Sequence, residues 1–301
     1  MNQPRPPRRD SRPPHLNVYA ALLCVIVFLA LLAAVGLVAL GIVKGLTPKD
    51  DPTIVTDTDP ATTTTGGTTS DTTPPDTTIG ETDDPSPSSV VLGKTEDMGQ
   101  AYQDSIIFIG DSTTAHLRSR GVLTGGKDTT QVWVPSDNTL LLDLNITKKK
   151  IVYPKTGNEM TFAEAAALEK PAYMVLTIGL NGVTSFVNNK ALYQNCYGKL
   201  IDAIEEASPD TKIILQSIFP VATNQQSFSA DVKTLNGYID TVNGYVKELA
   251  ETRGLRYLDT ASCLKDGGGN LIYSYQNGDG IHLTAEGYQV ILDYIRTHGY
   301  R

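Results

Sequence analysis

Four positions in this chain carry groups suited to acyl transfer. Ser112 lies in FIGDSTTAH (108–116), where the apolar run 106–109 ends abruptly in Gly-Asp-Ser. A serine hydroxyl is a weak nucleophile unless a base takes its proton, and histidine is the usual base at neutral pH. The sequence has four histidines. His15 falls in the N-terminal basic segment, and His298 is three residues from the end. His116 is four residues past Ser112, on the helix expected to follow it. That leaves His282, in NGDGIHLTAEGY (277–288), with Asp279 three residues before it. A carboxylate at that spacing can orient an imidazole and stabilise its charged form. Asn181, in TIGLNGVTSF (177–186), can donate an amide hydrogen to a developing oxyanion. Each motif alone also fits an ordinary turn, since Gly, Asn and Asp favour turns.

The elements that must position these groups are legible as alternating patterns. Apolar runs at 105–110, 131–134, 172–179, 211–219 and 255–260 read as strands, mostly continuous as in strands buried on both faces. Helical spacing appears at 161–169, 188–207 and 230–253, and again from Thr284 onward. Thr161 with Glu164 has capping-box spacing, whereas Gly287 denies Thr284 a full box. Residues 136–156 read as an excursion, with a hairpin expected there, between the second strand and its helix. Strand–helix alternation predicts a three-layer α/β/α domain with a central, mostly parallel sheet. Chemistry in such sheets gathers at the carboxyl ends of the strands, where Ser112 and Asn181 fall.

The order Gly-Asp-Ser, Gly-x-Asn, Asp-x-x-His resembles the SGNH/GDSL hydrolase superfamily, with a flavodoxin-like α/β/α fold, over residues 104–298. The resemblance implies a serine ester hydrolase without metal or other cofactor. It implies Ser112 as nucleophile, with Asp279 and His282 completing the triad. It implies an oxyanion hole made by the Ser112 amide, the Asn181 side chain and a glycine amide. Gly157, in KTGNEM before the helix at 161–169, takes the glycine's place, with Gly125 or Gly126 as alternatives. Asp111 is expected to hold the nucleophile turn rather than join the triad. The chain departs from the family's usual Gly-x-Asn-Asp at Gly182, which predicts a changed loop.

Composition divides the rest of the 301 residues. Residues 1–17 form a basic tail with Arg5, Arg8, Arg9 and Arg12. Residues 18–43 contain no charge and predict one transmembrane helix, since about 20 apolar residues cross a bilayer core. The preceding arginines predict a cytoplasmic N-terminus and an extracellular remainder. Residues 44–93, rich in Thr, Pro, Asp and Gly, predict a disordered linker with a reach on the order of 35–40 Å. Residues 94–301 are the hydrolase domain. A net charge of −8 argues against a nucleic-acid partner. Cys196 and Cys263 leave a disulfide open, because spacing alone cannot place them within reach.

This layout predicts an acylated carbohydrate or other ester as substrate, with acetyl or short acyl groups on cell-wall or extracellular glycans preferred. The same triad also serves an acyltransferase. Two other classes compete: a catalytically inactive glycan-binding module on the same scaffold, and a metallophosphoesterase using Asp111, Asn181, Asp279 and His282 as ligands.

Overall fold

The structure, a computed structural model, describes residues 89–301. The basic tail, the expected membrane span and nearly all of the expected linker lie outside the described residues. Among the described residues no helix is long and apolar enough to cross a membrane.

The chain enters through α1 (Gly99–Asp104), β1 (Ile106–Gly110) and α2 (Ser112–Ser119). It continues through β2 (Val132–Trp133), β3 (Lys150–Val152), β4 (Glu159–Thr161), α3 (Phe162–Glu169) and β5 (Tyr173–Thr177). Then come α4 (Val183–Phe186), α5 (Lys190–Ala207), β6 (Lys212–Gln216), α6 (Val232–Arg253), β7 (Arg256–Leu258), α7 (Ala261–Leu264) and α8 (Ala285–Thr297). The main sheet has the order β2-β1-β5-β6-β7, with every pairing parallel. All five expected strands are present, as are the expected helices, including the one that follows Ser112.

Alternation along the strands builds two cores, one on each face of the sheet. Ile109, Met174, Leu176, Ile213 and Leu215 point into the core shared with α3, α5 and α6. Phe108, Val132, Val175, Ile214 and Leu258 point into the core shared with α1, α2 and α8. The three-layer α/β/α architecture follows directly, because each strand residue buries its side chain against one helical layer.

Three local expectations are refined. The hairpin forms later than expected, as antiparallel β3 and β4 over 150–161. Residues 135–149 are mostly irregular, but they bury Leu140, Leu142 and Ile146 in the first core. Thr161 caps α3 in a complete capping box with Glu164. Strand β6 ends at Gln216 although the apolar run continues to Phe219. Beyond it, Asn243 of α6 accepts from the Ile218 amide (2.7 Å) and donates to the Ile218 carbonyl (3.0 Å). Asn236 does the same for Val221, at 2.8 and 2.9 Å. The two side chains take the place of a neighbouring strand and lead the chain away from the sheet. Cys196 is buried, Cys263 is half-buried, and both are free thiols.

Gly110, the last residue of β1, has a packing role. A Cβ there would lie 2.1 Å from Thr114 Oγ1 and 2.6 Å from the Thr177 carbonyl oxygen. The carbonyl belongs to the paired strand and cannot step aside. Gly110→Ala is therefore expected to cost about 1–3 kcal/mol as overpacking, lowering Tm by roughly 3–10 °C. Thermal unfolding of the variant measures this, and an unchanged Tm would contradict the contact.

Candidate active site

Ser112 is the first residue of α2, placed at the carboxyl end of β1 by a single intervening residue, Asp111. Asp111 is the helix N-cap. Its Oδ1 accepts from the Thr113 amide (3.0 Å) and the Thr113 hydroxyl (2.8 Å). Its Oδ2 accepts from Asn181 Nδ2 at 3.2 Å. Burial pushes the Asp111 carboxyl upward, against the hydrogen bonds from Thr113 that stabilise its charge. Asp111 thus ties the start of α2 to the loop after β5, as its expected role in the turn requires. As the first helical residue, Ser112 has no intrahelical partner for its N–H.

The second half of the site is the loop 276–283. Gln276 Oε1 accepts from the amides of Gly278 (2.6 Å) and Gly280 (3.0 Å). Asp279 Oδ1 accepts from the amides of Ile281 (2.8 Å) and His282 (2.9 Å). The loop is fastened from outside as well. The Ala222 amide donates to the Gly280 carbonyl at 2.8 Å, and Asn224 Nδ2 donates to the Gly278 carbonyl at 3.1 Å. Gly280 has φ +77°, and a Cβ on it would sit 2.5 Å from the Gln225 nitrogen. Only glycine allows that approach. From the other side, Arg120 Nε at the end of α2 donates to the Leu283 carbonyl (3.2 Å).

These constraints bring the loop to the serine. His282 Nδ1 is 2.7 Å from Asp279 Oδ2, and His282 Nε2 is 2.8 Å from Ser112 Oγ. An ionised carboxylate only accepts, so Nδ1 carries the proton and donates, leaving the Nε2 lone pair for the serine hydroxyl. Burial works to raise the Asp279 carboxyl. The hydrogen bonds from the His282 ring and from the His282 and Ile281 amides outweigh it, so the group is held below the usual carboxylate range. A hydroxyl, an oriented imidazole and a charged carboxylate in series can deprotonate the serine as it attacks an electrophile.

Asn181 stands beside this relay through Asp111. One of its two amide hydrogens is engaged there, and the other is available to an oxyanion. Gly182 has Leu141 Cδ1 and Phe186 Cε2 where a side chain would begin, 2.7 and 3.0 Å from a Cβ position. Leu141 of the 135–149 segment and Phe186 thus fill the space beside Gly182.

The glycine assignment is corrected. Gly157 is exposed in the β3–β4 turn, and its amide donates to the Tyr153 carbonyl at 2.8 Å. An amide closing a turn is not free to meet an oxyanion. The alternatives fare no better. The Gly126 amide donates to Leu123 O (2.8 Å). Thr124 Oγ1, next to Gly125, donates to Asp104 (2.7 Å), which lies at the amino end of β1, opposite Ser112.

The reading of Asp111, Asn181, Asp279 and His282 as one ligand set meets a split arrangement. Asp111 pairs with Asn181, and Asp279 pairs with His282. Among the described residues, no group of three or more His, Cys, Asp or Glu is placed to hold a metal ion.

The site also contains a residue that the sequence reading passed over. The His116 ring packs on the His282 ring, with centroids 4.3 Å apart and planes tilted by 34°. Its spacing from Ser112 was the available signal, because i and i+4 share a helix face.

The GDSL-like lipase/acylhydrolase family model matches residues 108–290, more than half of the chain. The chain belongs to this family. Solved structures resemble this GDSL-family chain in fold. A Streptococcus pneumonia protein described as a platelet activating factor is 24% identical, with TM-score 0.46, covering 64% of this chain and 82% of that one. A catalytic mutant of an acetylxylan esterase from Geobacillus stearothermophilus is 19% identical, with TM-score 0.38, covering 65% and 94%. The periplasmic domain of a lipopolysaccharide acetyltransferase from Salmonella ser. Paratyphi A is 16% identical, with TM-score 0.42, covering 66% and 84%. No curated protein matches the sequence.

Proposed function

We propose that this GDSL-family domain is a serine carboxylic ester hydrolase that removes acetyl or other short acyl groups from extracellular or cell-wall carbohydrate. The observation that carries the reading is the unbroken hydrogen-bond series Ser112–His282–Asp279 at 2.8 and 2.7 Å. Ser112 Oγ attacks the acyl carbonyl while His282 Nε2 takes its proton. The Ser112 amide and Asn181 Nδ2 donate to the resulting oxyanion. His282 then gives the proton to the departing sugar oxygen, leaving an acyl-serine. Water, deprotonated by the same nitrogen, attacks that ester and frees the acid. A sugar hydroxyl arriving in place of water would make the same intermediate an acyl donor. The glycan preference rests on the predicted membrane anchor and linker, which would hold the domain outside the cell and within reach of a wall.

Trapping the intermediate tests this reading. The full chain is mixed with p-nitrophenyl acetate, quenched in acid and digested for peptide mass spectrometry, with and without chelator. An acetyl group on Ser112, formed at a chelator-independent rate, is the expected result. Acetylated xylan and acetylated wall glycan are then compared by acetate release. Absence of turnover on every ester tried, or acetylation at another residue, would remove the proposal.

A further inference from the structure

We propose that His116 is a positioning residue for His282, its neutral ring forming the surface against which the base is held. This deepens the ester-hydrolase reading and rests on it. The need for such a surface follows from the exposure of the carboxylate. The Asp279 side chain is 43% exposed, against 20% for His282. Water competes for an exposed pair of this kind, which contributes little by itself. The imidazole can still swing about its side-chain bonds unless something packs on its face.

His116 supplies that packing. It projects from α2 one turn beyond Ser112, so the nucleophile and the platform belong to one rigid helix. The rings lie 4.3 Å apart at 34°, close enough for direct contact over their faces. The helix itself is fixed to the far side of the base, because Arg120 Nε reaches the Leu283 carbonyl and Tyr288 OH donates to the Thr113 carbonyl. His282 is therefore held between a carboxylate at one edge and a ring on one face, both in a set relation to Ser112 Oγ.

The platform has to stay uncharged. His282 becomes an imidazolium in each half of the proposed reaction, and a second cation against it would oppose that step. His116 Nδ1 is buried and has no hydrogen-bond partner among the described residues, which makes the protonated form costly. The titratable groups facing it are His282 and Asp279 from the loop and Arg120 at the end of its own helix. Burial first, then His282 and Arg120, bring the His116 imidazole down to about 4, with Asp279 opposing. Through the neutral range the ring thus presents an uncharged π face, which attracts a neighbouring positive charge.

The test uses the full chain as wild type, His116→Ala and His116→Phe. Histidine ¹⁵N NMR without substrate reads the His282 Nδ1–H that bridges to Asp279. That signal is expected to persist in wild type and in His116→Phe, and to broaden away in His116→Ala as the ring loosens. With p-nitrophenyl acetate, His116→Ala is expected to lose about 10–100-fold in kcat, the scale of a misplaced catalytic group, with KM within about twofold. His116→Phe is expected to recover most of that loss. An unaltered His282 signal in His116→Ala, or a Phe variant as impaired as the Ala variant, overturns the proposal. If wild type hydrolyses no ester, the hydrolase reading fails while the NMR comparison still decides the role of His116.

Discussion

Ser112→Ala is expected to lower kcat for ester hydrolysis by on the order of 10⁴–10⁶, the range seen when members of a catalytic unit are removed. Fold stability should be nearly unchanged. The side chain is half-buried, and its one side-chain hydrogen bond among the described residues runs to His282 Nε2. The helix cap belongs to Asp111 and survives the substitution. His282→Ala should cost about as much, and the double variant should be no slower than either single one, because a base without a nucleophile does nothing. The measurement is a double-mutant cycle on kcat with an activated acetyl ester. Multiplying losses would mean that the two residues act in separate steps, and the relay would lose its meaning.

Asn181→Ala carries the largest effect expected outside the serine–histidine relay. Removal of one oxyanion donor costs about 3–4 kcal/mol of transition-state stabilisation, or roughly 10²–10³ in kcat. KM should move little, since the donor acts on charge that develops only during attack. The substitution also takes one donor from the buried Asp111 carboxylate, which keeps its two hydrogen bonds from Thr113. A modest drop in Tm should accompany the rate loss. Asn181→Asp is the sharper comparison. It keeps the shape but sets a second carboxyl against Asp111, so it should be at least as slow as Asn181→Ala at neutral pH. Steady-state kinetics of both variants decide the matter. A kcat within threefold of wild type for Asn181→Ala would remove it from the oxyanion site.

Side-chain chemistry was legible in the sequence because it depends on residue type. Ser112, Asp279 and His282 could be named from type and order, and the structure brings all three within hydrogen-bond reach. The strands were equally legible, since continuous apolar runs mark strands buried on both faces. Backbone donors were not. Any residue has an amide, and Gly157 looked available until its N–H was found closing the β3–β4 turn on Tyr153. Strand ends were blurred for a related reason. The apolar run through Phe219 does not reveal that Asn243 and Asn236 of a distant helix receive the backbone there. The 135–149 segment hid its fold because Leu140, Leu142 and Ile146 serve a core while Leu141 and Leu144 stay exposed, so no regular element marks it. His116 was visible but unread, because a second ring near a base matters only once both are in space.

Asn236 and Asn243 are each followed by glycine in the sequence. That dipeptide is the most prone to deamidation, since glycine leaves the next nitrogen unhindered to attack the side-chain amide. In the folded chain both asparagines lie within α6, and both side chains are tied to the backbone at Val221 and Ile218. The helix holds the attacking nitrogen away, and the bonds hold the amide still. Protection lapses whenever α6 opens. An aspartate formed then would turn an acceptor oxygen toward the Val221 or Ile218 carbonyl in place of the lost N–H donor. The segment that braces Gly278 and Gly280 would no longer dock as before. Each opening of the helix thus carries a chance of permanent damage at these two positions, and the rate of that damage is set by how rarely α6 opens.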